Sequence, residues 1–209
     1  MEKRLLARKV PSTPVQSAVS SATAALDKGT SATKKAANGI EKSNPINPLI
    51  DPVCVDFLNY RIEQEEYSAR IYKSMEMWLN NKGYTGASKV WGKYSAEEMA
   101  HADWARTYLL SFGIQPLTPA LEQPNQSYAG LPEIIRMSFD HEIDVSNQIK
   151  EMADHALEYK SHMLYELCLK YMKEQVEEHD KMQTWIDKLE AFGTDKIALR
   201  LLDNEMAEY

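Results

Sequence analysis

The chain is poor in cysteine and in the residues that interrupt helices. Its 209 residues include eight Gly, nine Pro and two Cys, whereas Ala, Glu, Lys, Leu and Met are plentiful. This composition favours helix. Cys54 and Cys168 are far apart and show neither the spacing of a zinc site nor that of a disulfide framework. We therefore expect a helical protein of a reducing compartment, without a disulfide scaffold.

Long apolar runs are also absent, and none approaches the roughly 20 residues of a membrane span. The apolar fraction of 44% and the charged fraction of 26% are typical of globular proteins. The net charge of −7 is unevenly distributed: residues 1–50 carry eight Lys/Arg and three Asp/Glu, which is +5 and leaves −12 for the remainder. An acidic body argues against nucleic acid as its main partner and suits a protein that handles cations.

The N-terminal segment lacks aromatic residues and has almost no large apolar residue after Val19. Such a segment cannot bury enough surface to offset its ordering entropy. We predict two parts, a disordered or targeting extension over residues 1–50 and a folded domain over 51–209. Three interpretations of the extension stay open: a passive disordered tail, an electrostatic tether for a weakly bound anionic partner such as DNA, or an organelle-targeting signal.

Five helical segments are predicted after the extension. The first is capped by Asp51, starts at Pro52 and ends near Asn81. The second is capped by Thr85 and ends near Phe112. The other three run from Pro132 to about Leu157, from about Ser161 to Phe192, and from Thr194 onward. Short links make the first two helices, and the next two, antiparallel hairpins. The link over residues 114–131 is long enough to cross a whole bundle. The fold class is therefore all-α, a four-helix bundle with one long crossover plus a short C-terminal fifth helix.

Each long helix has an apolar stripe that a carboxylate interrupts near its middle. The four interruptions are Glu65, Glu98, Glu142 and Glu178. A residue near the middle of a helix lies at the same height along the bundle axis whether the helix runs up or down. These four side chains should therefore meet in one layer of the core. Burying such a cluster without cations would cost several kcal/mol for each carboxylate. A pair of metal ions at that layer is the simplest compensation.

The donor set narrows the choice of metal. Glu98 and His101 share one helix face, as do Gln175 and Glu178. Carboxylates with one imidazole and one amide suit Fe, Mn or Zn, and Glu98 is the natural bridge between two ions. Purely structural interpretations also exist. A lone glutamate in an apolar stripe is often a partly exposed residue at the edge of the core, and Tyr72 alone is often a tyrosine that only packs in the core. Four coincident interruptions at one level favour the metal site.

At these residues the chain resembles the non-haem bacterial ferritins. The motifs that carry the resemblance are Glu-Glu-Tyr-Ser-Ala-Arg-Ile-Tyr at 65–72, Glu-Glu-Met-Ala-His at 97–101, Asp-His-Glu-Ile-Asp at 140–144 and Glu-Gln-Val-Glu-Glu-His at 174–179. The resemblance extends from about Val53 to the C-terminus. It implies a cytoplasmic ferroxidase that oxidises Fe(II) with O2 or H2O2 and stores it as ferric mineral inside a hollow homo-oligomeric shell, with 24 subunits because a fifth helix is present.

The resemblance also assigns roles to residues. It implies that Glu65, Glu98 and His101 hold the first iron, with Tyr72 beside it. The second iron would lie among Glu98, Glu142 and Gln175, with Glu178 next to it. A third iron would be held by four glutamates: Glu97, Glu174, Glu177 and Glu178.

Related families and other functions fit less well. Haem-containing bacterioferritins carry a second ExxH on the fourth helix, where this chain has Gln175-x-x-Glu178, so we expect no haem although Met99 occupies the position of their haem-ligating Met. Rubrerythrins have a cysteine-rich iron domain, and DNA-protecting mini-ferritins lack the fifth helix. Two alternatives stay open: another di-metal oxidase on the same fold, and a DNA-binding ferritin-like protein that uses the basic extension.

Overall fold

The computed structural model describes residues 50–209, which form an all-α unit. Within this range there are five helices: α1 Pro52–Asn81, α2 Thr85–Ser111, α3 Leu131–Glu158, α4 His162–Phe192 and α5 Lys196–Met206. The predicted fold class and the predicted helices are confirmed to within two residues at each end. No helix in the described range is long and apolar enough to cross a membrane. The predictions for residues 1–49 fall outside the described residues.

The helix ends follow local chemistry, with one correction. Asp51 caps α1 as predicted, because its side chain accepts a hydrogen bond from the Val53 backbone N–H at 2.9 Å. The predicted cap of α2 is wrong: Tyr84, not Thr85, precedes the helix, and no side chain caps it. Gly83 takes a positive φ of 84°, and the Tyr84 backbone N–H bonds back to the Leu79 carbonyl at 2.9 Å. The chain thus reverses at Gly83, and α2 starts one residue earlier than expected.

Contacts between the helices define a bundle whose four long helices run up, down, down and up in chain order. Arg61 of α1 meets Gln148 of α3, whereas Met75 of α1 meets Ser138 of α3, so these two helices run antiparallel. The Tyr171 hydroxyl of α4 reaches the His101 carbonyl of α2 at 2.7 Å. Helix α1 therefore packs against α2 and α3, and α4 packs against the same two helices from the opposite side.

The crossover between α2 and α3 runs along α1. Its Leu117 backbone N–H donates to Asn59 Oδ1 near the start of α1 at 2.9 Å, and its Asn125 carbonyl accepts from the Ser74 hydroxyl about three-quarters of the way along α1. Fifteen helical residues span about 22 Å. Eight extended residues span about 26 Å, so the crossover is almost fully extended. It carries the chain back to the end of the bundle where α3 begins.

The core has two apolar clusters with a polar layer between them. One cluster surrounds Trp91 and Trp185, and the other surrounds Leu58 and Ile149. Helix α5 closes the first end by packing on α2 and α4. The layer between the clusters is the one predicted from the interrupted stripes.

Candidate metal centre

The polar layer includes the six buried side chains predicted as metal ligands, one or two from each of the four long helices. They are 0–7% exposed. The six are Glu65, Glu98, His101, Glu142, Gln175 and Glu178. The helical repeat places each on the inward face of its helix, in line with the apolar side chains above and below. The structure thus brings together every residue predicted for the first two metal ions.

Glu65, Glu98 and His101 form the tightest group. One ligand atom from each lies within 4.8 Å of the others. His101 Nδ1 is 3.4 Å from Glu98 Oε2, and Glu65 Oε2 is buried without a hydrogen-bond partner among residues 50–209. A buried carboxylate oxygen without a partner costs free energy that a bound cation would recover. The donor set and the unpartnered oxygen both fit an iron ion.

Glu142 occupies the opposite side of the layer and is held by two neutral donors. The Tyr72 hydroxyl donates to Glu142 Oε1, and the Gln175 amide donates to Glu142 Oε2 at 3.3 Å. The Ser146 hydroxyl in turn donates to Gln175 Oε1 at 2.7 Å. These contacts orient the carboxylate of Glu142 and the amide of Gln175, and they place Tyr72 at the edge of the candidate centre.

The residues predicted for a third iron are only partly assembled. Glu174 and Glu178 each place a carboxylate oxygen within 4.8 Å of a His101 ring nitrogen. Glu97 is more exposed and reaches Glu178 through Lys181, whose ammonium contacts both carboxylates. Glu177 is exposed to solvent. The structure therefore does not gather the four glutamates into one cavity.

Burial dominates the electrostatics of the layer in the metal-free chain. Burial and the neighbouring carboxylates of Glu65 and Glu142 raise the pKa of Glu98 well above its ordinary value. Burial raises the pKa of Glu178 to about 7, although Lys181 opposes the shift. Burial lowers the pKa of His101, which favours the neutral imidazole that a metal needs. The layer is thus poor at holding negative charge unless a cation is bound.

Arg61 is a member of the layer that sequence reasoning missed. It is 2% exposed; its Nε lies 2.9 Å from Glu65 Oε1 and its Nη1 donates to Gln148 at 3.1 Å. A spacing of four residues before Glu65 on α1 was the available signal. His141 was also missed; it is buried, 2.8 Å from the Ser68 hydroxyl, and burial and Arg61 lower its pKa to about 4.

The four-helix bundle with one long crossover and a buried layer of carboxylates and histidine defines a class, the proteins of ferritin-like architecture. The comparisons with known proteins agree. The profile of the family described as Ferritin-like domain matches residues 55–192. The chain belongs to this family, and the predicted resemblance is confirmed.

The matches with individual relatives extend over most of the length of each relative. A probable bacterial non-haem ferritin-like protein from Haemophilus influenzae is 31% identical over 152 residues, 73% of this chain and 92% of the relative. A bacterial non-haem ferritin from Escherichia coli is 27% identical over 159 residues, 76% of this chain and 96% of the relative. Among solved structures, an open-pore ferritin from the archaeon Archaeoglobus fulgidus has a TM-score of 0.74 at 29% identity, and the match covers 77% of this chain and 98% of that one.

Proposed function

We propose that the chain is an iron-storage ferritin whose polar layer binds and oxidises two Fe(II) ions per subunit. The observation that carries this proposal is the burial of four carboxylates and one neutral-favouring histidine at one level of the core. Among the described residues, Glu98 and Glu142 form no ion pair with a lysine or arginine, although both are nearly inaccessible to water. Bound divalent cations would supply the missing positive charge.

The ligands favour oxidation of the bound metal. Carboxylate oxygens stabilise Fe(III) more than Fe(II), because the smaller and more highly charged ion gains more from anionic donors. Two Fe(II) ions release two electrons as they become two Fe(III) ions. These electrons reduce O2, with two protons, to H2O2, or they reduce H2O2, with two protons, to two water molecules. Either balance agrees with the geometry, so the oxidant stays open.

Each side chain has a separate task in this proposal. Glu98 lies between the two groups of donors and would bridge the ions, while Glu65 and His101 bind on one side. Glu142 and Gln175 bind on the other side, oriented by Tyr72 and Ser146. Glu178 stands next to the second ion. Tyr72 is placed in this catalytic set because its hydroxyl contacts the reacting layer directly.

Storage requires a shell, and the proposal includes one of about 24 subunits. Purified protein should sediment as one species many times heavier than the 23.9-kDa chain. After aerobic addition of Fe(II), that species should retain hundreds of iron atoms or more. A small oligomer that keeps two irons per chain would instead support the alternative, another di-metal oxidase.

That alternative needs room for an organic substrate. A groove of about 370 Å³ lies between α3 and α4, beside Gln175 and lined also by Ile149, Met172 and Val176. Its volume is in the range of small-molecule sites. The ferritin relatives favour storage, and the iron content of the shell separates the two functions.

A ligand variant tests the di-iron centre. Glu98→Ala removes the proposed bridge, so rapid Fe(II) oxidation should fall by at least about 100-fold, whereas the shell should still form. Stopped-flow absorbance after an O2 pulse measures the rate. Glu190→Ala, which removes an exposed glutamate of α4, is the control and should oxidise iron at the wild-type rate. Wild-type speed in Glu98→Ala would refute the assignment.

Several finer predictions stay predictions. The cytoplasmic location and the expectation of no haem belong to this group, whereas the third iron at Glu97, Glu174, Glu177 and Glu178 is replaced by the inference below.

A further inference from the structure

A lysine occupies the space between two of the four glutamates predicted to hold a third iron. Lys181 Nζ is 2.9 Å from Glu178 Oε1 and 3.1 Å from Glu97 Oε2. It joins α4 to α2, because Glu97 lies on α2 while Lys181 and Glu178 lie one turn apart on α4. Lys181 is not one of the residues assigned to the first two iron sites, although its partner Glu178 stands next to the second of them.

The contact is partly sheltered from water. The side chain of Lys181 is 21% exposed and that of Glu178 is 2% exposed. The ammonium also lies 5.8 Å from the centre of the Tyr94 ring, where the negative face of an aromatic ring attracts a cation.

A metal ion at this position would compete directly with the ammonium. Iron–oxygen bonds are about 2 Å long, so a metal bound to Glu97 and Glu178 would need the space and the lone pairs that Lys181 now uses. Displacing the ammonium would leave a positive charge beside a divalent cation in a partly water-excluded place. Of the remaining predicted ligands, Glu177 is exposed, and Glu174 lies within 4.8 Å of both Glu178 and His101, so it adds a donor next to the first iron site but none beside Glu97.

We propose that Lys181 acts as a tethered cation that takes the place of a third metal ion, so that each subunit binds two ions at the layer and not three. This inference rests on the proposed di-iron function and refines it. The lysine ammonium offsets the charges of Glu97 and Glu178 as part of the chain itself. Lys181 is therefore a specificity-determining residue and not a ligand.

Zn(II), which is redox-inert, tests the inference by isothermal titration calorimetry of metal-free shells. Wild-type protein should bind two Zn(II) ions per subunit at the layer. Lys181→Met, which keeps most of the side-chain length without the charge, should bind one more. Adding Glu97→Gln to Lys181→Met should remove that extra ion, which separates it from adventitious surface binding.

Lys188→Met is the matched control. Lys188 also lies on α4 and forms an ion pair, with Glu205 of α5, two turns beyond Lys181. This variant should bind the same number of Zn(II) ions as wild type. Lys181→Gln is a second uncharged variant, and its side chain can still donate a hydrogen bond. It should also bind the extra Zn(II) ion, and it replaces Lys181→Met in the test if that variant does not fold.

Two results would overturn the inference. One is a third Zn(II) ion in wild-type protein that disappears in Glu97→Gln. The other is an unchanged count in folded Lys181→Met and Lys181→Gln. Failure of the di-iron function gives a different result. In that case Glu98→Ala would bind as many Zn(II) ions per subunit as the wild-type protein, whatever the lysine variants show.

Discussion

At the scale of the residue, the buried carboxyls of the metal layer link stability to pH. The pKa of Glu178 is raised from its ordinary value of 4.5 to about 7, and that of Glu98 is raised as well. The folded metal-free chain therefore binds protons more tightly than the unfolded chain. Their contribution to stability is present below about pH 4.5 and is lost as the pH rises through the folded pKa values.

We expect the contribution of the two carboxyls to stability to fall between about pH 5 and pH 8, a loss that His101 and His141, whose pKa values are lowered, offset in part below about pH 6.5. The loss from Glu178 alone has an upper limit of about 3 kcal/mol, since one pKa unit corresponds to about 1.4 kcal/mol. Zn(II) should restore stability, and more at pH 7.5 than at pH 5.5, because the ligands bind metal in their deprotonated form. Differential scanning calorimetry of wild type and Glu98→Gln, with and without Zn(II), measures both effects. A stability that is independent of pH, or a Zn(II) effect that is larger at pH 5.5, would contradict this account.

At the scale of the element, α5 is held by a close approach to the start of α2. Asp203 is 2% exposed, and its Oδ1 accepts from the Ala87 backbone N–H at 2.9 Å. This contact satisfies one of the free N–H groups of the first turn of α2. A Cβ added at Gly86 would lie 1.8 Å from the Asp203 carbonyl oxygen, so only glycine permits the contact. Ile197 and Leu201 remain exposed on the outer face of α5.

Gly86→Ala should therefore displace α5. We expect a loss of at least about 2 kcal/mol, because a backbone atom cannot move aside as a flexible side chain does. Thermal unfolding monitored by circular dichroism, together with proteolysis after residue 193, measures the effect. The control is Gly92→Ala on the same helix, where the new Cβ meets only the carboxyl group of Glu76 at 3.1 Å. Equal unfolding temperatures for the two variants would contradict the role given to Gly86.

At the scale of the whole molecule, charge is distributed unevenly along the chain. Residues 1–50 carry +5 and the remainder carries −12. If a shell of about 24 subunits displays these segments outward, weak contacts with an anionic partner would be multiplied. The tether, the targeting signal and the passive tail all agree with this composition, and each makes a different prediction.

Deletion of residues 1–45 separates the three interpretations. A tether requires full-length shells to retard DNA in a gel at low salt, with retardation lost on deletion and on raising the salt concentration. Vesicles with anionic lipids provide the second probe. Shells that ignore both probes exclude the tether, and a mature protein that begins near residue 40 in its own cell indicates a targeting signal. Iron oxidation by the deleted protein should equal that of the full chain.

The stripes and their interruptions were readable from sequence because helical geometry repeats every 3.6 residues. That repeat placed Glu65, Glu98, Glu142 and Glu178 on the inward faces of four helices. The length of the crossover indicated that it runs from one end of the bundle to the other. These properties depend on spacing along a single helix or loop, so no knowledge of the neighbouring helices was needed.

Only the tertiary structure decided which groups meet across helices. The resemblance to ferritins assigns Glu97 and Glu177 to a third iron, yet the structure pairs Glu97 with Lys181 and leaves Glu177 in solvent. It likewise joins Arg61 to Glu65 and Gln148. A long charged side chain on the border of an apolar stripe can turn towards solvent or towards a partner. The choice depends on the position of the adjacent helix, which the spacing of residues along one helix does not contain.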